Sequence, residues 1–91
     1  MLRDKMERVL AKPFADLYME TYRPGGNTTT SVSPAFSDPA GTPNRRNVAL
    51  YRYDASTRAL SANDTGLVFV SVYYEADGTT SGLKTLVGRW W

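Results

Sequence analysis

Ninety-one residues with eleven basic and nine acidic side chains, a net charge of +2, and neither cysteine nor histidine exclude disulfides and the usual zinc ligands. The same inventory leaves Ser–His and Cys–His nucleophile pairs without their base, and the charge is too small to imply nucleic-acid binding by itself. One small domain is the limit at this length, and setting aside the polar middle leaves roughly 65 residues for a core, a size that calls for oligomerisation or a partner.

Leu2, Met6, Val9, Leu10, Phe14 and Leu17 recur at spacings of three and four, the stripe of an amphipathic helix. The four-apart pairs Arg3–Glu7 and Asp4–Arg8 favour the same conformation. Pro13 lacks the N–H and disfavours helix at Lys12, so the spacing predicts a kink or two short helices meeting there. Pro24-Gly25-Gly26 ends this N-terminal segment, residues 1–23. A charged start without an apolar run gives neither a secretory signal nor a membrane span, and a cytoplasmic site of synthesis is expected.

Residues 24–47 break the pattern. Seventeen of these 24 positions are Pro, Gly, Asn, Thr or Ser, a composition with little apolar surface to offset the entropy of ordering. A flexible arm that becomes ordered on a partner is the expectation, with Thr28–Ser33 as an edge strand and the rest as loop. Val32 and Phe36 are its apolar anchors, and Arg45-Arg46 is the adjacent basic pair at its end.

An antiparallel β-domain is expected over residues 48–91. Val48–Tyr53 reads as a strand with Val48 and Leu50 on one face and Tyr51 and Tyr53 on the other. Asp54–Thr57 is a turn that leads into a single helical turn through Leu60, and Asn63–Gly66 is a second turn. Leu67–Glu75 is the strongest strand. Val68, Val70, Val72 and Tyr74 line one face and Leu67, Phe69 and Tyr73 the other, so it should lie centrally in a sheet packed on two sides. Ala76–Gly82 is a hairpin loop and Leu83–Trp91 the returning partner. The fold class is therefore mainly β within α+β: an N-terminal helix, then a small antiparallel barrel or sandwich.

Chemistry-bearing patterns are sparse. Ser81-Gly82-Leu83-Lys84 has the Ser-x-x-Lys spacing but falls in a hairpin rather than at a helix start. Asp54, Asp64 and Asp77 sit in turns, where aspartate normally caps its own backbone. Gly25-Gly26 is followed by neither a lysine nor a helix, so it is not a phosphate loop. Tyr51, Tyr53, Phe69 and Tyr73, with Arg45, Arg46, Arg52 and Arg58, are the residues a single-stranded nucleic-acid-binding module would use. Trp90-Trp91 places two strong interface anchors at the end of the sequence, to be buried against the domain's own helix or against a partner.

Ala35-Phe36-Ser37-Asp38-Pro39, Phe69-Val70-Ser71-Val72, Asp77-Gly78 and Leu86-Val87-Gly88-Arg89, taken with the order of elements over residues 5–90, resemble the head–tail joining proteins of long-tailed phages. The resemblance implies a small β-barrel that forms a ring between portal and tail. It implies a non-enzymatic virion component assembled in the host cytoplasm, with no catalytic residues, cofactor or metal. Its partners would be copies of itself and other virion proteins, across an interface that includes Val32, Phe36, Arg45, Arg46, Trp90 and Trp91. The alternative is the single-stranded nucleic-acid-binding β-module.

Overall fold

The computed structural model describes residues 1–89. Two short helices, α1 (Leu2–Leu10) and α2 (Phe14–Glu20), are followed by strands β1 (Arg46–Asp54), β2 (Ala59–Leu60), β3 (Leu67–Tyr74) and β4 (Leu83–Gly88). The strands form one antiparallel sheet in the order β2-β1-β3-β4. This is an α+β fold, with β3 central as its two-sided hydrophobicity requires. The pairings leave β2 and β4 at the edges and do not close a barrel among the described residues.

Pro13 divides the helical stripe into two helices, holding an extended conformation (φ −57°, ψ 146°) at the entry to α2. α1 and α2 together roof one face of the sheet. Met6, Val9 and Leu17 pack onto Val48, Leu50, Val68, Val70 and Val72, with Leu2, Phe14, Tyr18, Phe36 and Val87 around them. That valine-rich layer is the core. Each β-branched side chain stands on a pleated strand, where its restricted rotamers cost little.

Residues 24–47 are irregular, and the edge strand expected at Thr28–Ser33 is not formed. Nor does the segment stand away from the domain as an arm: it lies along the outer edge of β1. The backbone pair Glu75 N to Arg45 O (2.9 Å) sets the alternation that turns residues 46, 48, 50 and 52 outward from β3. Asp38 N donates to Arg46 O (3.0 Å) and Ser33 N to Val48 O (2.8 Å), while Arg46 N donates to Asp38 Oδ2 (2.9 Å) and Val48 N to Ser37 Oγ (2.8 Å). Further along, the Asn27 amide accepts from Arg52 N (2.6 Å) and donates to Ser61 O (2.7 Å), acting as one more peptide link in the ladder. Hydrogen bonding to an otherwise open edge, rather than apolar burial, places the segment. Serine, asparagine and aspartate supply the acceptors a strand edge needs.

The link after β1 is a tight reversal into β2, not a helical turn. Asp54 Oδ1 accepts from Ser56 N (2.9 Å) and Ser56 Oγ (2.7 Å), and Arg58 takes a positive φ of 55°. The β3–β4 connection contains a short 3₁₀ turn, Thr79–Ser81, that folds back over the sheet face opposite the helices. Gly82 makes this possible, since a Cβ there would lie 2.7 Å from the Tyr73 Cβ and would also strike the Val72 carbonyl.

Candidate interaction surface of the sheet

Strand alternation sends Ala49, Tyr51, Tyr53, Phe69, Ser71, Tyr73, Lys84 and Leu86 to the face away from the helices. At one end the 3₁₀ turn helps bury Ser71 and Tyr73. No helix among the described residues covers the other end. There the Tyr51 and Phe69 rings stack at 4.9 Å (interplanar angle 15°), and Tyr53 leans on Phe69 at 5.4 Å. All three rings are half-buried. Burial pushes the Tyr51 phenol above its ordinary pKa, with Tyr53 adding to the effect. The packing expected on both sides of β3 is met on one side only: the helices roof one face, and the aromatic rings of the other are left half-buried.

A niche of about 160 Å³ lies beside the platform, lined by Thr29, Tyr51, Phe69, Ser71, Thr79 and Lys84. Ser71 is 4 % exposed, and its Oγ, like Asn47 Oδ1 on the same face, has no hydrogen-bond partner among the described residues. Lys84 brings a cation to this niche.

The arginines are elsewhere. Arg52 points to the helix side, 8 % exposed, with its guanidinium 3.8 Å from the Tyr22 ring centroid and its Nη1 on Ala62 O (2.6 Å). Arg45 donates to Asp38 O (2.9 Å) and Glu75 Oε1 (2.9 Å). Arg46 grips Asp38 through Nε (2.9 Å) and Nη2 (3.3 Å), and Lys5 Nζ reaches the same carboxylate at 3.1 Å. Asp38 is 8 % exposed, and the Arg46 guanidinium, helped by Lys5, holds it far below the usual carboxylate range. This cluster locks the end of the 24–47 segment to α1 and β1. Sequence reasoning missed it, because nothing along the chain shows that Lys5, Asp38 and Arg46 meet.

Four of the six expected interface residues make contacts within the chain. The Val32 carbonyl accepts from Arg23 Nη2 (2.6 Å), Phe36 packs at the border of the core, and Arg45 and Arg46 are ion-paired. Trp90 and Trp91 lie outside the described residues.

A second aromatic cluster forms where α2 meets the end of β4. Tyr18 and Tyr22 share a hydrogen bond of 2.8 Å, and Arg89 lies 5.5 Å from the Phe14 ring centroid and 5.3 Å from that of Tyr18 while bonding Asp64. The Tyr18 phenol is pushed up to about 12, first by its bond to Tyr22, then by desolvation and by Asp64. Arg89 and the Gly66 backbone lower Asp64, and the bonds from Ser56 lower Asp54. These two aspartates hold their own turns in place, as turn aspartates usually do.

Ser81 falls in the 3₁₀ turn, and no hydrogen bond joins it to Lys84 among the described residues. Among those residues no group of three or more His, Cys, Asp or Glu side chains is placed to hold a metal ion. No helix among the described residues is long and apolar enough to cross a membrane. Comparisons with protein-family models, with curated proteins and with solved structures found no match to this chain.

Proposed function

We propose that this protein is a structural subunit that works by assembling with copies of itself and with other proteins of a particle. The resemblance to head–tail joining proteins implies a ring-forming component of a phage virion, and that is the setting in which we place it. The observation that carries the reading is the unequal covering of the sheet. One face is sealed by two helices, while the other presents a stacked Tyr51–Phe69–Tyr53 platform that no helix covers. Half-buried aromatic rings, here with Lys84 at their border, are what protein interfaces select.

The same geometry weighs against the single-stranded nucleic-acid reading. Such modules set cations beside their stacking rings. Here Arg45 and Arg46 are tied to Glu75 and Asp38, and Arg52 lies on the opposite face beneath Tyr22.

The test compares wild type with the double variant Tyr51→Ser, Phe69→Ser in light scattering, alongside titration of each with a labelled oligothymidine. The reading expects the variant to fold and to associate less than wild type, and neither protein to bind the oligonucleotide near physiological salt. Submicromolar binding with a steep salt dependence, or unchanged association of the variant, overturns it.

A further inference from the structure

The two edges of the sheet are finished differently. On the β1 side the outward backbone groups of Arg46, Val48 and Arg52 are taken up by Asp38, Ser37, Ser33, Asn27 and Ser61, with Leu50 alone lacking such a partner among the described residues, and β2 pairs the end of the strand. On the β4 side the pairing Arg89 N to Gly66 O (2.9 Å) fixes the alternation: residues 83, 85 and 87 bond β3, and Lys84, Leu86 and Gly88 turn outward. Lys84 and Leu86 have no backbone partner on that outer side among the described residues, and Gly88 is buried within the chain. Open edges are normally blunted by proline, bulges or charged side chains, lysine above all. β4 has a continuous register from Leu83 to Gly88, no proline, and Lys84 as its one charge.

We propose that the β4 edge pairs with the β4 edge of a second copy, antiparallel about a two-fold axis at Thr85, extending the sheet across the dimer. This rests on the reading that the chain self-assembles, and it names the contact. Outward residues must face outward residues, so the backbone bonds form between Lys84 and Leu86 of opposite copies. This register needs nothing from buried Gly88. It sets Lys84 against Leu86 rather than against its own copy, which avoids a like-charge pair. On the helix side it lays Leu83, 40 % exposed in the single chain, against the partner's Val87, and Thr85 against the partner's Thr85. A register centred on Lys84 would oppose two ammonium groups, and one centred on Leu86 would call on Gly88. The occupant is a second copy because the edge is complementary to itself under this one operation. The aromatic platform stays available for a different contact.

The absence of cysteine makes the test direct. Non-hydrogen-bonded antiparallel pairs hold their Cα atoms about 4.5 Å apart, within the span of a disulfide. Thr85→Cys should therefore oxidise to a covalent dimer in high yield, and Ser56→Cys, at the tip of the β1–β2 turn, should not. Leu86→Pro removes an outward N–H that β3 does not use, as edge strands tolerate; it should keep the wild-type circular dichroism and lose the dimer. Thr85→Cys cross-linking no faster than Ser56→Cys, or a folded Leu86→Pro that associates like wild type, overturns the edge contact while leaving self-assembly standing. A wild type that is monomeric at every concentration overturns both.

Discussion

Replacing Asp38 by asparagine removes one charge from the place where three parts of the chain meet. Asp38 accepts from Lys5 Nζ at 3.1 Å, from Arg46 Nε and N at 2.9 Å each, and from Arg46 Nη2 at 3.3 Å. The Lys5 and Arg46 side chains are 13 % and 20 % exposed, so both cations would lose their counter-charge in a poorly solvated position. Breaking one side of a buried pair costs about 3–5 kcal/mol, and the partial exposure of the partners brings the expectation down to about 2–3 kcal/mol. In a domain whose whole stability is on the order of 5–10 kcal/mol, that lowers the melting temperature by roughly 10–15 °C.

The pH dependence gives a second check. The folded-state pKa of Asp38 is depressed, so its stabilisation is fully present above the unfolded-chain value near 3.9. It is lost as pH falls through that value towards the folded one. Urea titrations of wild type and Asp38→Asn at pH 7, 5, 3.5 and 2.5 should show a gap that is constant down to about pH 5 and then narrows. A gap under about 0.5 kcal/mol at pH 7, or one of equal size at pH 2.5, would refute the clamp.

Three further outcomes follow from the packing. Asn27→Ala removes the amide that links Arg52 N–H to Ser61 C=O and should cost about 1–3 kcal/mol in urea unfolding; a neutral result would mean the segment is not held at that edge. Gly82→Ala drives a Cβ into Tyr73 and the Val72 carbonyl and should lower the melting temperature by more than about 8 °C, which a thermal scan by circular dichroism reads. Tyr22→Phe removes the first cause of the raised Tyr18 phenol, so the alkaline absorbance titration should lose its component near 12 and gain one nearer the ordinary value of about 10; an unchanged late component refutes that pairing.

Sequence periodicity carried far where one residue's neighbours along the chain decide its state. The helical stripe, its division at Pro13 and the two faces of Leu67–Tyr74 were all legible, because helix and strand periods differ and valine runs favour strands. The 24–47 segment was legible as irregular but not in its position. Composition measures apolar burial, whereas Ser33, Ser37, Asp38 and Asn27 act here as hydrogen-bond acceptors and donors for an edge 8 to 25 residues further on. The helical turn expected through Leu60 is replaced by a reversal, because Ala59 and Leu60 pair with β1. Of the candidate surface, the alternation of Tyr51, Tyr53 and Phe69 was readable. The side of the sheet that the helices would cover was not, and that choice separates the aromatic platform from Arg52.

Sedimentation equilibrium of the full chain, from about 1 to 200 µM near physiological salt, tests the central claim of self-assembly most directly. The account predicts a mass that rises with concentration from the 10.1 kDa monomer to at least a dimer, as mass action requires of a self-associating chain. A fit to a single 10.1 kDa species across the whole range would contradict it.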